Sequence, residues 1–267
     1  METISIAKLN TVPRVQVASV FASAFDDHHP EAVAAWRGTV RDDLNSGRCN
    51  LNGSSLAMER DQPVGAALVY GGVDSVHWRL GALGTVPSRR RGGVGSALIH
   101  HLLTVASNAS VELVTCEVEV DNTAACRFFE NHNFSSEGHL LDFAYQAGPI
   151  PSNGLTVRSG TWDQVSRYFT GDRGMRTRAM VSSYADQAGT SVLCIDGRGA
   201  AVVRGRCLID LAVQDDDFGA FQALLHATYG QTAKVIWRHV PESSGAARLA
   251  LSAGLDVIRT SVSMVHT

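Results

Sequence analysis

The chain has little of what marks the specialised protein classes. Its 267 residues include five cysteines, Cys49, Cys116, Cys126, Cys194 and Cys207, and no two form a Cys-x-x-Cys pair. An odd, scattered set argues against a disulfide framework and a zinc site, so reduced thiols and no metal are expected. No apolar run approaches the roughly 20 residues that a membrane-crossing helix needs. The opening METISIAKLNTVPRVQVASVF has no basic segment leading into an apolar core and a small-residue cleavage site. A soluble, cytoplasmic protein without a membrane partner is therefore expected. Charged residues make up only 18% and the net charge is -3. That leaves no broad basic face for nucleic acid. With 45% hydrophobic residues, the composition also excludes disorder and predicts a well-filled core. The length exceeds the roughly 100 to 150 residues of a usual single domain, so two modest domains are the better reading.

What is present is concentrated between residues 76 and 134. An apolar stretch, Val76 to Val86, runs into Pro87, the cluster Arg89-Arg90-Arg91, three glycines and an amphipathic segment from Ser96 to Val105. Glycines in such a place let backbone N–H groups approach an anion at a helix N-terminus, where the dipole also favours negative charge. A dinucleotide fingerprint does not fit, because it needs Gly-x-Gly-x-x-Gly in a parallel βαβ unit and a ribose-binding acid about 20 residues on. Downstream, Glu112 to Val120 alternates like a strand, and Asn122 to Phe134 reads as a helix entering another strand. A plain glycine-rich turn would account for the first element alone. It does not account for the second in this order and spacing.

The two elements together resemble the GNAT superfamily of N-acetyltransferases. Pro87-x-x-Arg90-x-x-Gly93-x-Gly95 matches that family's pyrophosphate loop in full, and its second motif matches at Asn122, Ala125, Phe128 and Phe134. The family's tyrosine position holds Phe129 and its glycine position holds Asn133. The resemblance implies acetyl-CoA as acyl donor, lying in a splay between strands 76–86 and 112–120. It assigns the pantetheine and acetyl group to the backbone of Leu83, Gly84 and Thr85, and the pyrophosphate to Arg90 and to Arg91, Gly92, Gly93, Val94, Gly95 and Ser96. It also puts Asn122 near the pantetheine arm and Phe129 at the cofactor. Glu117 matches a glutamate that some members use as general base, and Glu119 shares its strand face by period-2 geometry. Either carboxylate can be the base and the other a binder of a cationic amine; a solvated face or an ion pair is the alternative for both. His77, on the neighbouring strand, is of the residue type whose charge changes near neutral pH, and an ordinary half-exposed histidine is the expected reading over a catalytic one.

Phe129 cannot protonate a departing thiolate as the family's tyrosine does. Water or another group, such as Cys126 or Tyr145, can supply the proton. Otherwise the protein performs a different acyl-CoA reaction, or it binds acyl-CoA without catalysis. The segment Phe25-Asp26-Asp27-His28-His29-Pro30-Glu31 falls where the family lines its acceptor site, and a small-molecule amine is the expected acceptor, with a monomer or homodimer as the assembly.

Periodicity and turn signals order residues 1–147 as βααβββαβαββ, with Gly148 to Gly154 as linker. Residues 155–267 then repeat the plan, and Ser243-x-x-Ala246-x-x-Leu249 faintly echoes the Asn122 motif. The expected fold is α/β (mixed α+β), two tandem GNAT-like domains, each a mainly antiparallel mixed sheet flanked by helices. In the second half, Gln214-Asp215-Asp216-Asp217-Phe218-Gly219 stands where the loop belongs. Three carboxylates there repel a diphosphate and suit a helix start. The second half is expected to be a degenerate repeat.

Overall fold

A computed structural model describes residues 4–25, 40, 43–45, 47, 49–71, 75–145, 153–169, 189–205, 207–229 and 235–267. The chain divides into two compact units, Met1–Glu137 with Ser263–Thr267, and Gly138–Val262. Most of the expected linker, residues 148–152, lies outside the described residues.

The first unit runs β1 (Ser5–Lys8), α1 (Arg14–Phe25), β2 (Ser55–Glu59), β3 (Gln62–Tyr70), β4 (His77–Thr85), α2 (Val94–Asn108), β5 (Leu113–Glu119) and α3 (Thr123–Glu130). Of the second helix in the expected order, Val40, Asp43 and Leu44 are described and are helical. Strands β1 to β4 pair antiparallel in sequence order, and β5 pairs parallel to β4. Helix α1 forms because Val17, Val20, Phe21 and Ala24 recur at helical spacing and are buried together. Val17, Val20 and Phe21 pack with Leu56, Ala66, Leu68 and Ala82 from three strands. Burying one such side chain stabilises the fold by about 1.5–3 kcal/mol. Helix α2 buries Val94, Leu98, Ile99, Leu102 and Ala106.

The second unit takes up strand β6 (Ser135–Tyr145) from Gly138 onward and continues through β7 (Arg158–Ser159), α4 (Trp162–Val165), β8 (Thr190–Ile195), β9 (Gly199–Arg204) and β10 (Cys207–Val213). Helix α5 (Phe218–Tyr229), β11 (Val235–Pro241), α6 (Gly245–Ser252) and β12 (Asp256–His266) complete it, the last residues of β12 being counted with the first unit. The pair of strands expected before residue 147 is a single 11-residue strand, exposed in its first half and buried in its second. Gly138 sits within it at φ 141°.

Two irregularities recur in both units and make the repeat physical. Pairing of β3 with β4 steps from Leu68↔Ala82 to Val69↔Leu80, so Gly81 is a bulged extra residue. Pairing of β9 with β10 steps from Val203↔Leu208 to Val202↔Asp210, which bulges Ile209. The parallel ladder next to each bulge ends at the residue before it, at Leu80↔Cys116 in the first unit and Leu208↔Trp237 in the second. Each half is therefore a mainly antiparallel mixed sheet with one parallel step. No helix among the described residues is long and apolar enough to cross a membrane.

Candidate functional site

The site grows from the end of the β4–β5 ladder. β4 continues to Thr85 and β5 to Glu119, past the last paired residues Leu80 and Cys116. Backbone groups beyond a ladder still need partners, and an extended, amide-bearing molecule can supply them as a missing strand would. Leu83, Gly84 and Thr85 line this stretch of β4, with Gly84 buried and its neighbours half-buried. Gly84 has no room for a side chain, since a Cβ there would lie 2.6 Å from the Cβ of Ala24. The end of α1 thus packs directly on the strand.

In the loop after β4 the amides of Arg89, Arg90 and Gly92 donate to the carbonyls of Val86, Pro87 and Arg89, and the free amides gather at the start of the following helix. Pro87–Arg89 makes one 3-10 turn; Arg91 follows at φ 63° and Gly93 at φ 82°, and Gly93 is the N-cap of α2 with no side chain capping the helix and no acidic residue in its first turn. The first backbone bond of α2 runs from Ala97 N–H to Gly93 C=O at 2.9 Å. The N–H groups of Val94, Gly95 and Ser96 therefore precede the first intrahelical donor. Left-handed residues alternating with others aim successive amides into one concavity, an anion nest. Val94 anchors it: its side chain is buried and fills the space a Cβ on Gly65 would need. Gly92 and Gly93 are exposed, and Gly95 and Ser96 half-buried.

The three arginines divide their work. Arg89 Nε donates to Glu59 Oε2 at 2.5 Å, and Arg90 Nη2 donates to the Ala24 carbonyl at 2.9 Å. Arg90, a sequence candidate for the anion, also ties the loop through its guanidinium to the C-terminal end of α1, where the helix dipole favours a cation. Arg91 is exposed and has no hydrogen bond or ion pair among the described residues.

On β5, Glu117 is ion-paired. Arg79 Nε donates to both its carboxylate oxygens, at 3.0 and 2.9 Å. The guanidinium of Arg79 lies 5.5 Å from the centre of the Tyr70 ring, and the Tyr70 hydroxyl donates to the buried Asp43 at 2.6 Å. Burial, and then the bond to Asp43, push the Tyr70 phenol far above its ordinary value. His77 Nε2 lies 3.0 Å from Thr115 Oγ1. Glu119 is half-buried at the strand end. Sequence reasoning missed Arg79, Tyr70 and Asp43, since Arg79 and Glu117 are 38 residues apart. The register Arg79↔Thr115 brings them together, two residues along on the same strand face, and only a known register would have revealed it.

Helix α3 carries the second motif. Asn122 is exposed and is the helix cap, its Oδ1 accepting from Ala125 N–H at 3.1 Å. One turn on, Cys126 Sγ lies 3.9 Å from the Glu119 carbonyl. Burial, and next the negative charge of Glu130, push its thiol up. Phe129 is 7% exposed and packs edge-on to Phe128 and Phe134, at 5.3 and 5.2 Å between ring centres. Tyr145 is buried in the second unit against Tyr229.

The corresponding features of the second unit are closed. Asp217 caps α5, accepting from Ala220 N–H at 3.0 Å, and is held by Arg198 Nε at 2.6 Å. Asp216 accepts from Arg248 at 2.8 Å. Where the first unit has Cys116 at the ladder end, the second has Trp237, 1% exposed and packed against Phe143 and Phe221.

The family described as Acetyltransferase (GNAT) matches residues 18–134. No curated protein matches the chain. Among solved structures, a candidate acetyltransferase from Pyrococcus horikoshii is similar over 99% of this chain and 88% of its own, with 17% identity and a TM-score of 0.74. A GCN5-related N-acetyltransferase from Sphaerobacter thermophilus covers 98% and 95%, with 15% identity and a TM-score of 0.68. A tandem GNAT protein from the clavulanic acid biosynthesis pathway covers 99% and 98%, with 13% identity and a TM-score of 0.65. Residues 18–134 thus match the acetyltransferase (GNAT) family, and the chain as a whole has the fold of two tandem GNAT-like domains.

Proposed function

We propose that the first unit transfers an acetyl group from acetyl-CoA to the amine of a small molecule, by direct attack in a ternary complex. One observation carries this reading: an uncapped helix N-terminus with a glycine nest directly follows a strand whose ladder has ended, and the second unit has a capped helix and a tryptophan at the same two places. The donor's diphosphate would sit on the amides of Arg91 to Ser96 with the charge of Arg91 beside it, and its pantetheine would run along Leu83, Gly84 and Thr85. The second repeat would take no donor.

In the reaction the acceptor amine loses a proton to Glu117 or Glu119 and attacks the thioester carbonyl. The C–N bond forms, backbone N–H groups at the strand edge stabilise the developing oxyanion, and the C–S bond breaks. A thiolate with the pKa of an ordinary thiol, roughly 8.5, is a fair leaving group and takes its proton from Cys126 or from water. The carboxylates favour a cationic acceptor. The segment 26–31 that would also face it lies outside the described residues.

Calorimetric titration with acetyl-CoA tests the donor site, with release of free thiol over a panel of amines as the second step. One site per chain, weakened in Arg91→Ala, and thiol release only with an amine are expected. Binding without turnover on any amine would favour an acyl-CoA-binding protein, and CO2 from malonyl-CoA would favour decarboxylation. A wild-type chain that binds no acetyl-CoA would refute the reading.

A further inference from the structure

Three rings that acyl transfer leaves unused lie between α2 and α3. Phe128 stands against the anion loop, for a Cβ on Gly95 would lie 3.2 Å from its Cζ. The ring of His132 is 4.4 Å from that of Phe128, and His100 is 5.4 Å from His132. The row therefore begins at the loop and runs along α2: Gly95 to His100 is about 7.5 Å of helix, comparable with the span of a ribose between its 5′- and 3′-phosphates.

The chemistry of the two imidazoles is specific. His132 Nδ1 lies 2.7 Å from the Phe128 carbonyl oxygen. A carbonyl only accepts, so Nδ1 carries the hydrogen and donates, and Nε2 is the nitrogen left for another partner. His100 is exposed. The His100 carbonyl accepts from Thr104 Oγ1, but neither the His100 imidazole nor Nε2 of His132 has a hydrogen-bond or ion-pair partner among the described residues. A protonated His132 keeps its bond to Phe128 and gains an Nε2–H donor, which suits a phosphate oxygen. Flat aromatic rings beside it suit a purine.

We propose that His100 and His132, with Phe128, bind the 3′-phosphoadenosine end of the acyl donor and distinguish it from a donor lacking the 3′-phosphate. This rests on the acyl-CoA reading above, yet the two can fail separately. The histidines add specificity for one phosphate; the glycine loop holds the diphosphate that both donors share.

The test is calorimetric titration of the full chain with coenzyme A and with 3′-dephospho-coenzyme A. Wild type is expected to bind coenzyme A about tenfold more tightly, the worth of one charge-assisted hydrogen bond at a surface. The double variant His100→Ala, His132→Phe keeps a ring in the row and removes both imidazoles. It should bring the two affinities within about twofold by weakening coenzyme A alone. His100→Ala by itself, at an exposed position, should lose part of the preference. Equal affinities in wild type, or a tenfold preference that survives the double variant, would overturn the proposal. So would an equal loss for both ligands, which would make the rings a support for the loop. Failure of wild type to bind either ligand would sink the acyl-CoA reading and this inference with it.

Discussion

Replacing Gly93 by asparagine and by aspartate separates the shape of the anion loop from its charge. Gly93 has φ 82° and ψ 0°, and no atom lies within 4 Å of a Cβ built there. The substitution meets no neighbour, so its structural cost is backbone strain alone. A non-glycine residue in the left-handed region costs about 1 kcal/mol, with asparagine among the best tolerated. In a unit of this size that lowers the melting temperature by roughly 2–5 °C. Aspartate is nearly isosteric with asparagine and adds one negative charge beside a bound diphosphate. Two charges about 4 Å apart interact with about 1 kcal/mol in water and about 4 kcal/mol near a protein surface. The exposed loop belongs toward the lower figure, so repulsion from two phosphates amounts to about 2 kcal/mol, or roughly thirtyfold in Kd. Titration with acetyl-CoA at low and physiological salt reads this directly. Gly93→Asn should bind within a few-fold of wild type and Gly93→Asp roughly thirtyfold more weakly, the gap narrowing as salt screens it. If the two variants bind alike, the diphosphate does not sit on this loop and the reasoning fails.

Three further outcomes follow from the geometry. Glu117→Gln should cut turnover at least a hundredfold, at the low end for loss of a general base, while acetyl-CoA affinity stays within about twofold. Full activity in that variant would transfer the base to Glu119. In the second unit, burial works against ionising Asp217, but the Ala220 amide and the Arg198 guanidinium outweigh it and hold the carboxyl below its ordinary 3.8. A depressed folded-state value contributes stability that is present above pH 3.8 and lost as pH falls through the lowered value, so acid melting curves of Asp217→Asn should be flatter below pH 3.8 than those of wild type; identical curves would remove the cap's electrostatic role. Cys126, pushed above the ordinary thiol value by burial and Glu130, should stay a thiol at neutral pH and be alkylated by iodoacetamide more slowly than free cysteine. Mass spectrometry of the labelled peptide measures that rate, and a rate equal to free cysteine would exclude Cys126 as proton donor.

Local torsion and periodicity are written in short stretches of chain, and there the amino-acid sequence determined the outcome. The alternation of β4 and β5, the helical spacing of Val17, Val20, Phe21 and Ala24, and a glycine at the left-handed N-cap of α2 are all legible residue by residue. The aspartates at 215–217 likewise announced a capped helix, and Asp217 is its cap. Pairings across the sheet were not legible, because register depends on how every intervening turn closes. Only the tertiary structure decided that Gly81 bulges, that the β4–β5 ladder stops at Leu80, and that Arg79 meets Glu117. It also decided which arginines are struts. Arg89 and Arg90 look like Arg91 in the chain, but Glu59 and the end of α1 come within reach of those two. A side chain's type states what it can bind; what it does bind depends on partners that folding brings from 30 and 66 residues away.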